Sequence, residues 1–146
     1  MLLSVNPLIK PFLAGRNSVR RWIAKDYTIG REAVKLRLKQ TLSKRYISFD
    51  IWSAPSFKYS FMGVFVHCVL ETEQGPKCYS TQIGLRRIKD KHDGENVAKT
   101  VLDIIREYNI TPSELRVFIA DNEATNNKAI RLILEELFPR IKKLDV

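Results

Sequence analysis

A chain of 146 residues has room for one hydrophobic core, since domains typically hold about 100–150 residues. With 45% hydrophobic and 28% charged residues, its composition is that of an ordinary globular protein and excludes a disordered chain. The formal net charge is +9, and all of it sits in the first third: residues 1–45 hold eleven Lys and Arg against Asp26 and Glu32, while the remainder holds fourteen of each sign. A localised basic stretch suits a polyanion such as DNA, because every neutralised phosphate releases condensed counterions. The same charges also suit a solvated helix face.

Cys68 and Cys78 are too few for a disulfide framework, and their spacing to His67 and His92 fits no usual zinc pattern. No stretch approaches the ~20 apolar residues of a membrane span. The amino-terminus meets Pro7, Lys10 and Pro11 too early for a secretory signal. Its lack of acids before Asp26, with Arg16, Arg20 and Arg21, faintly resembles a mitochondrial transit peptide.

In chain order, residues 1–30 read as largely irregular, punctuated by Pro7, Pro11, Gly15 and Gly30, with a short helix over 18–25 capped by Ser18. Residues 31–44 read as a basic amphipathic helix with Val34, Leu38 and Leu42 on one face. The pattern then turns to strands: 46–52, aromatic and partly β-branched; 57–70, apolar on both faces after Phe61 and hence inside a sheet; and 77–87, with Tyr79, Thr81, Ile83 and Leu85 alternating. Glu73-Gln74-Gly75-Pro76 joins the last two. A helix follows, with Val97, Val101, Ile104, Ile105 and Tyr108 at helical spacing and Asp93 as its cap. Thr111-Pro112-Ser113 breaks it, 115–120 is a compact strand, and 126–138 is a helix with Ile130, Ile133, Leu134 and Leu137 on one face. The order is β-β-β-α-β-α. It predicts an α/β fold of three antiparallel strands and a fourth lying parallel to the first, preceded by a basic helical segment. This is the opening of an RNase H-like fold. The boundaries expected are a basic segment at 1–45 and a partial RNase H-like domain at 46–146.

Two aspartates stand out. Asp50 lies within the first strand, where Asp is disfavoured, and Asp121 directly follows the fourth. If those strands are neighbours, the carboxylates meet at one end of the sheet. Hard oxygen ligands so placed suit magnesium or manganese, and such ions can activate a water or a 3′-hydroxyl on a phosphodiester. The alternatives are that Asp50 faces water at a strand edge and that Asp121-Asn122 begins a turn and caps the next helix. His67, alone in an apolar strand, reads as a satisfied core residue, and Trp52 as core packing beside Asp50.

At these residues the chain resembles hAT-type DNA transposases. Ile47-Ser48-Phe49-Asp50-Ile51-Trp52-Ser53 is similar to the family segment in which the first catalytic Asp precedes a Trp by two positions. Gly63 through His67, followed by Val69, resembles the next strand. His92-Asp93-Gly94-Glu95-Asn96 is similar to the family's His-Ser-Gly-Glu-Asn. Asp121-Asn122 with Ala124-Thr125-Asn126-Asn127 resembles the block holding the second catalytic Asp, and Ser18-Val19-Arg20-Arg21-Trp22-Ile23 the stretch ahead of the core. The resemblance runs from about Asn6 to Phe138. It implies DNA transposition in the nucleus by a metal-dependent acidic triad, with Asp50 and Asp121 as catalytic residues and ligands of Mg2+ or Mn2+. The basic charge of the amino-terminal third separately makes Arg16, Arg20, Arg21 and Lys25 the candidate phosphate contacts.

Departures from the family pattern bear on activity. Ser53-Ala54 replaces Thr-Ser, Asp93 replaces Ser, and Glu123 is inserted after Asn122. The family's third acid is a Glu far downstream, so this chain is expected to carry two of three acids and to be inactive alone. A non-catalytic DNA-binding or protein-interaction module derived from such an element is the alternative, with self-association through an exposed sheet edge. A proofreading-type exonuclease would need Asp-x-Glu on the first strand, where Ile51-Trp52 follows Asp50. A nucleotide-binding α/β domain would need a Gly-rich loop, and Gly84 and Gly94 are isolated.

Overall fold

The computed structural model describes residues 15–53, 60–88 and 93–139. The chain divides into two compact units, Met1–Leu36 and Arg37–Val146.

The first unit is dominated by a single helix, α1, Arg16–Leu38, of 23 residues. It replaces both the irregular reading of 16–30 and the two separate helices expected over 18–25 and 31–44. Ser18 is not the cap but lies in the first turn, where its backbone N–H donates to the Gly15 carbonyl. Gly30 does not interrupt the helix. A glycine within a helix costs about 1 kcal/mol relative to alanine but leaves the hydrogen-bond ladder intact. The expected continuation to residue 44 fails because the chain beyond Leu38 is taken up by the sheet: Thr41 bridges to Leu70, and the Leu42 N–H donates to the Val69 carbonyl at 2.9 Å.

The second unit is an α/β structure built on a four-stranded mixed sheet. Its strands are β1 (Arg45–Ser53), β2 (Ser60–Leu70), β3 (Lys77–Ile88) and β4 (Leu115–Ile119), in the spatial order β3-β2-β1-β4. β1 pairs antiparallel with β2, β2 antiparallel with β3, and β1 parallel with β4. The β-β-β-α-β-α order and the parallel fourth strand are as expected. Residues 57–59 of the expected second strand lie outside the described residues. The β2–β3 turn closes with reciprocal backbone hydrogen bonds between Thr72 and Gly75. Gly75 has φ +92°, a left-handed conformation that favours glycine.

One expectation about β3 fails. Its register shifts by one residue opposite Val64 and Phe65, which pair with Gly84 and Gln82 and leave Ile83 between them. The extra residue of such a bulge reverses the inward–outward alternation. Ile83 is therefore buried, while Leu85 emerges on the face opposite Tyr79 and Thr81 and is exposed.

Helix α2 (Gly94–Glu107) starts at Asp93, whose Oδ1 accepts the Asn96 N–H at 2.9 Å. It ends with Asn109 at φ 55°, the Asn109 N–H donating to the Arg106 carbonyl and the Ile110 N–H to the Ile105 carbonyl. That pair of bonds satisfies the orphan carbonyls of the last turn. Val97, Val101, Ile104, Ile105 and Tyr108 are all buried, so the 3.6-residue pattern is the core face. A single 3-10 turn at Pro112–Glu114 leads into β4, and α3 (Ala124–Leu137) follows. Two glycines set the packing distances. A Cβ on Gly84 would lie 2.4 Å from Cδ1 of Ile104, bringing β3 close to α2, and one on Gly94 would lie 2.7 Å from Cβ of Lys128, bringing α2 close to α3.

These helices cover the sheet face that carries Ile47, Phe49, Met62, Val64 and Val66, all buried. The opposite face carries Tyr46, Trp52, Phe65, Leu85, Val117 and Ile119, all exposed. Among the described residues, no helix is long and apolar enough to cross a membrane.

Candidate functional site

The parallel pairing of β1 with β4 decides where the two aspartates lie. Tyr46 is opposite Val117 and Ser48 opposite Ile119. Asp50 lies two residues beyond Ser48 within β1, and Asp121 two residues beyond Ile119, just past the end of β4. Both therefore follow the last pair of the parallel β1–β4 ladder, on its carboxyl side, the side on which open α/β sheets bind ligands.

Asp50 belongs to a central strand rather than to the sheet edge, yet it is exposed. Its partner across β2 is Gly63. The missing side chain there leaves space over which the rings of Trp52 and Phe65 lean: a Cβ on Gly63 would meet them at 3.2 and 3.3 Å. Trp52 itself is not core packing. It is 44% exposed and stacks on Phe61 with ring centroids 6.3 Å apart, because alternation along β1 puts it on the open face with Asp50. One Asp50 oxygen, Oδ1, accepts the Ile51 N–H at 2.9 Å.

Asp121 does not cap α3. The cap position is Glu123, whose side chain makes no capping bond. Instead, Oδ1 of Asp121 accepts a hydrogen bond from Nδ2 of Asn126, and Nδ2 of Asn127 donates to Oδ1 of Asn122 at 2.9 Å. Two successive asparagines in the first turns of α3 thus tie down the two residues that follow β4. Asn126 is 2% exposed, and its own Oδ1 has no partner. A buried amide with half its hydrogen-bonding capacity unused is costly, and here it holds a carboxylate in place. In the sequence Asn126 stands only within the Ala124-Thr125-Asn126-Asn127 block. Its positioning role had one signal, a polar residue recurring with Ala129 and Ile133 on the buried side of α3.

The donor set is therefore two exposed carboxylates, each with one oxygen fixed by a neighbour and the other without a hydrogen bond among the described residues. Their chemistry fits a hard divalent cation, with Asp50 and Asp121 as the residues that would hold it. Among the described residues there is no group of three or more His, Cys, Asp or Glu side chains arranged around a metal. A groove of about 380 Å³ between α2 and α3, lined in part by Glu95, Lys99, Arg106 and Glu136, does not include either aspartate.

His67 is half-buried and fully partnered. Its Nε2 is 2.7 Å from Ser48 Oγ and its Nδ1 2.6 Å from Ser80 Oγ. The three side chains form a hydrogen-bonded row across β1, β2 and β3, which agrees with a satisfied histidine. Cys68 is buried and Cys78 exposed, both as free thiols. Burial pushes the Cys68 thiol up, against a smaller opposing effect of the Arg45 charge.

Behind the site, Arg45 pins the start of β1 to the segment before β4. Its Nη1 is 2.7 Å from Glu114 Oε1, and its Nη2 donates to the Leu38 carbonyl. Burial raises the Glu114 carboxyl, but hydrogen bonds from Arg45 and Thr111 and the Arg45 charge together hold it below its ordinary value.

Arg16, Arg20, Arg21 and Lys25 are all exposed on α1. Arg20, Arg21 and Lys25 fall on the half of the helix opposite Val19 at 100° per residue. They belong to the first unit and form a basic helix face in their own right.

The fold and site define an α/β protein with a four-stranded mixed sheet and an acidic pair on the carboxyl side of its parallel ladder. Comparison with known proteins finds no matching family model and no matching curated protein.

Proposed function

We propose that this chain is part of the RNase H-like catalytic domain of a hAT-type DNA transposase, acting on DNA in the nucleus and inactive by itself. The observation that carries the reading is the parallel β1–β4 register, since Asp50 and Asp121 both follow its last pair on the carboxyl side. An antiparallel or distant β4 would have separated them. In this reading Asp50 and Asp121 hold Mg2+ or Mn2+, which when bound polarises a phosphodiester and its attacking hydroxyl. Asn126 orients Asp121, and Asp50 lies opposite Gly63 across the β1–β2 ladder. Two carboxylates give an open, weakly held ion, since each missing ligand lowers affinity and loosens geometry.

The basic face of α1 supports a second reading, a non-catalytic DNA-binding module derived from such an element. Seven basic residues against two acids on one helix would grip phosphates without reading sequence.

Two measurements on the intact chain test these readings. Incubation with supercoiled DNA and Mg2+ or Mn2+ is expected to give no cleavage; robust nicking abolished by Asp50→Ala would overturn inactivity. DNA affinity is expected to fall steeply with salt, and each charge reversal among Arg16, Arg20, Arg21 and Lys25 to reduce the log–log slope by about 1. An affinity independent of salt would exclude α1 as a phosphate contact.

A further inference from the structure

The open face of the sheet carries exposed apolar side chains from every strand. Trp52, Phe65, Leu85, Val117 and Ile119 project from all four strands and are exposed, Leu85 by 53%. Soluble monomers rarely leave a contiguous apolar patch of this kind uncovered. Three of the polar side chains among them pair with one another: Ser48, His67 and Ser80 hydrogen-bond along the row described above. Covering that row would orphan none of its donors or acceptors, which is the usual condition for burial.

Helix α1 carries the complementary surface. Val19, Trp22, Ile23, Tyr27 and Ile29 are exposed, Trp22 by 58%, and fall on one half of the helix, interrupted by Asp26. From Val19 to Ile29 this stripe runs about 15 Å at 1.5 Å per residue, and the open face is about 14 Å across four strands at ~4.8 Å spacing. Charge agrees as well: the stripe is bordered by Arg16 and Arg20, and the face ends at the exposed Asp50 and Asp121.

We propose that the open sheet face is a dimerisation surface, each copy receiving on it the apolar stripe of α1 from a second copy. The exchange is reciprocal, so one two-fold assembly covers both faces in both chains. The basic half of α1 stays outward and remains available to a polyanion.

The test is sedimentation of the full chain across a concentration series, with Trp22→Glu and Leu85→Lys. Both positions are exposed, and unchanged circular dichroism and thermal midpoints would establish that the variants fold. Wild type is expected to dimerise with concentration, and each variant to weaken the dimer about ten-fold or more. An equimolar mixture of the two variants is expected to recover part of the association, because one copy keeps an intact sheet face and the other an intact α1. A wild-type chain that stays monomeric would overturn the proposal. So would a dimer sensitive to only one variant, the signature of helix-to-helix or face-to-face pairing. Binding of Mn2+ or DNA is read separately and does not bear on this outcome.

Discussion

Arg45 and Glu114 carry the clearest electrostatic consequence at the scale of single residues. The guanidinium side chain is 5% exposed and the carboxylate 37%, so removing the acid leaves a nearly buried cation with the Leu38 carbonyl as its remaining hydrogen-bond partner. Glu114→Gln is expected to cost about 1–2 kcal/mol, within the range for a charged hydrogen bond at a partly exposed site. The pH dependence has a definite sign. The folded carboxyl titrates below its ordinary 4.5, so its stabilisation is complete above the unfolded value and is lost as pH falls through the lower folded value. Urea midpoints for the two proteins should therefore converge as pH is lowered below the ordinary carboxylate range. A gap that persists unchanged into acid would assign the effect to packing rather than charge.

Elements, in contrast, are governed by parity and close approach. The alternation of Tyr79, Thr81, Ile83 and Leu85 predicted one apolar face of β3, and the bulge at Ile83 moved Leu85 to the other. The sequence carries only an ambiguous signal for this: Gly84 follows Ile83, and a glycine within a strand marks either a bulge or a close backbone approach. Here both hold. Gly84→Ala would thrust a methyl into the fully buried Ile104, a cost of about 1–3 kcal/mol by overpacking. Ile104→Val removes the offending Cδ1, and the double variant should be more stable than the sum of the single changes implies. Strict additivity in thermal or urea unfolding would show that β3 and α2 do not meet there. Helix α2 was legible almost in full, because its cap, its periodic face and its terminator coincide. Helix α1 was not. Gly15 and Gly30 both read as punctuation, but only the first ends the helix; the second merely weakens it, and spacing cannot tell these apart. The same is true of Trp52, whose exposure depends on which sheet face the helices cover.

For the molecule as a whole, the β3-β2-β1-β4 order does two things at once. It sets β1 at the centre, between an antiparallel and a parallel neighbour, and within the second unit it puts α2 and α3 on one face while the side chains described on the other are exposed. The strand order and the parallel fourth strand followed from the β-β-β-α-β-α succession, because short connections leave few topologies available. The placement of Asp50 and Asp121 followed from that topology, since both were marked by position in or just after a strand. What no linear pattern conveyed was the support around them: Gly63 opposite Asp50, the Asn126 amide, and the Ser48–His67–Ser80 row are made by residues distant in sequence. If the two aspartates share one divalent ion, as proposed, Mn2+ paramagnetic broadening in NMR spectra reads that sharing most directly. At substoichiometric Mn2+, amide signals around Asp50–Ile51 and Asp121–Asn122 are expected to broaden together. Asp50→Asn or Asp121→Asn should restore both sets. Broadening confined to one aspartate, or unchanged by either substitution, would contradict a shared site.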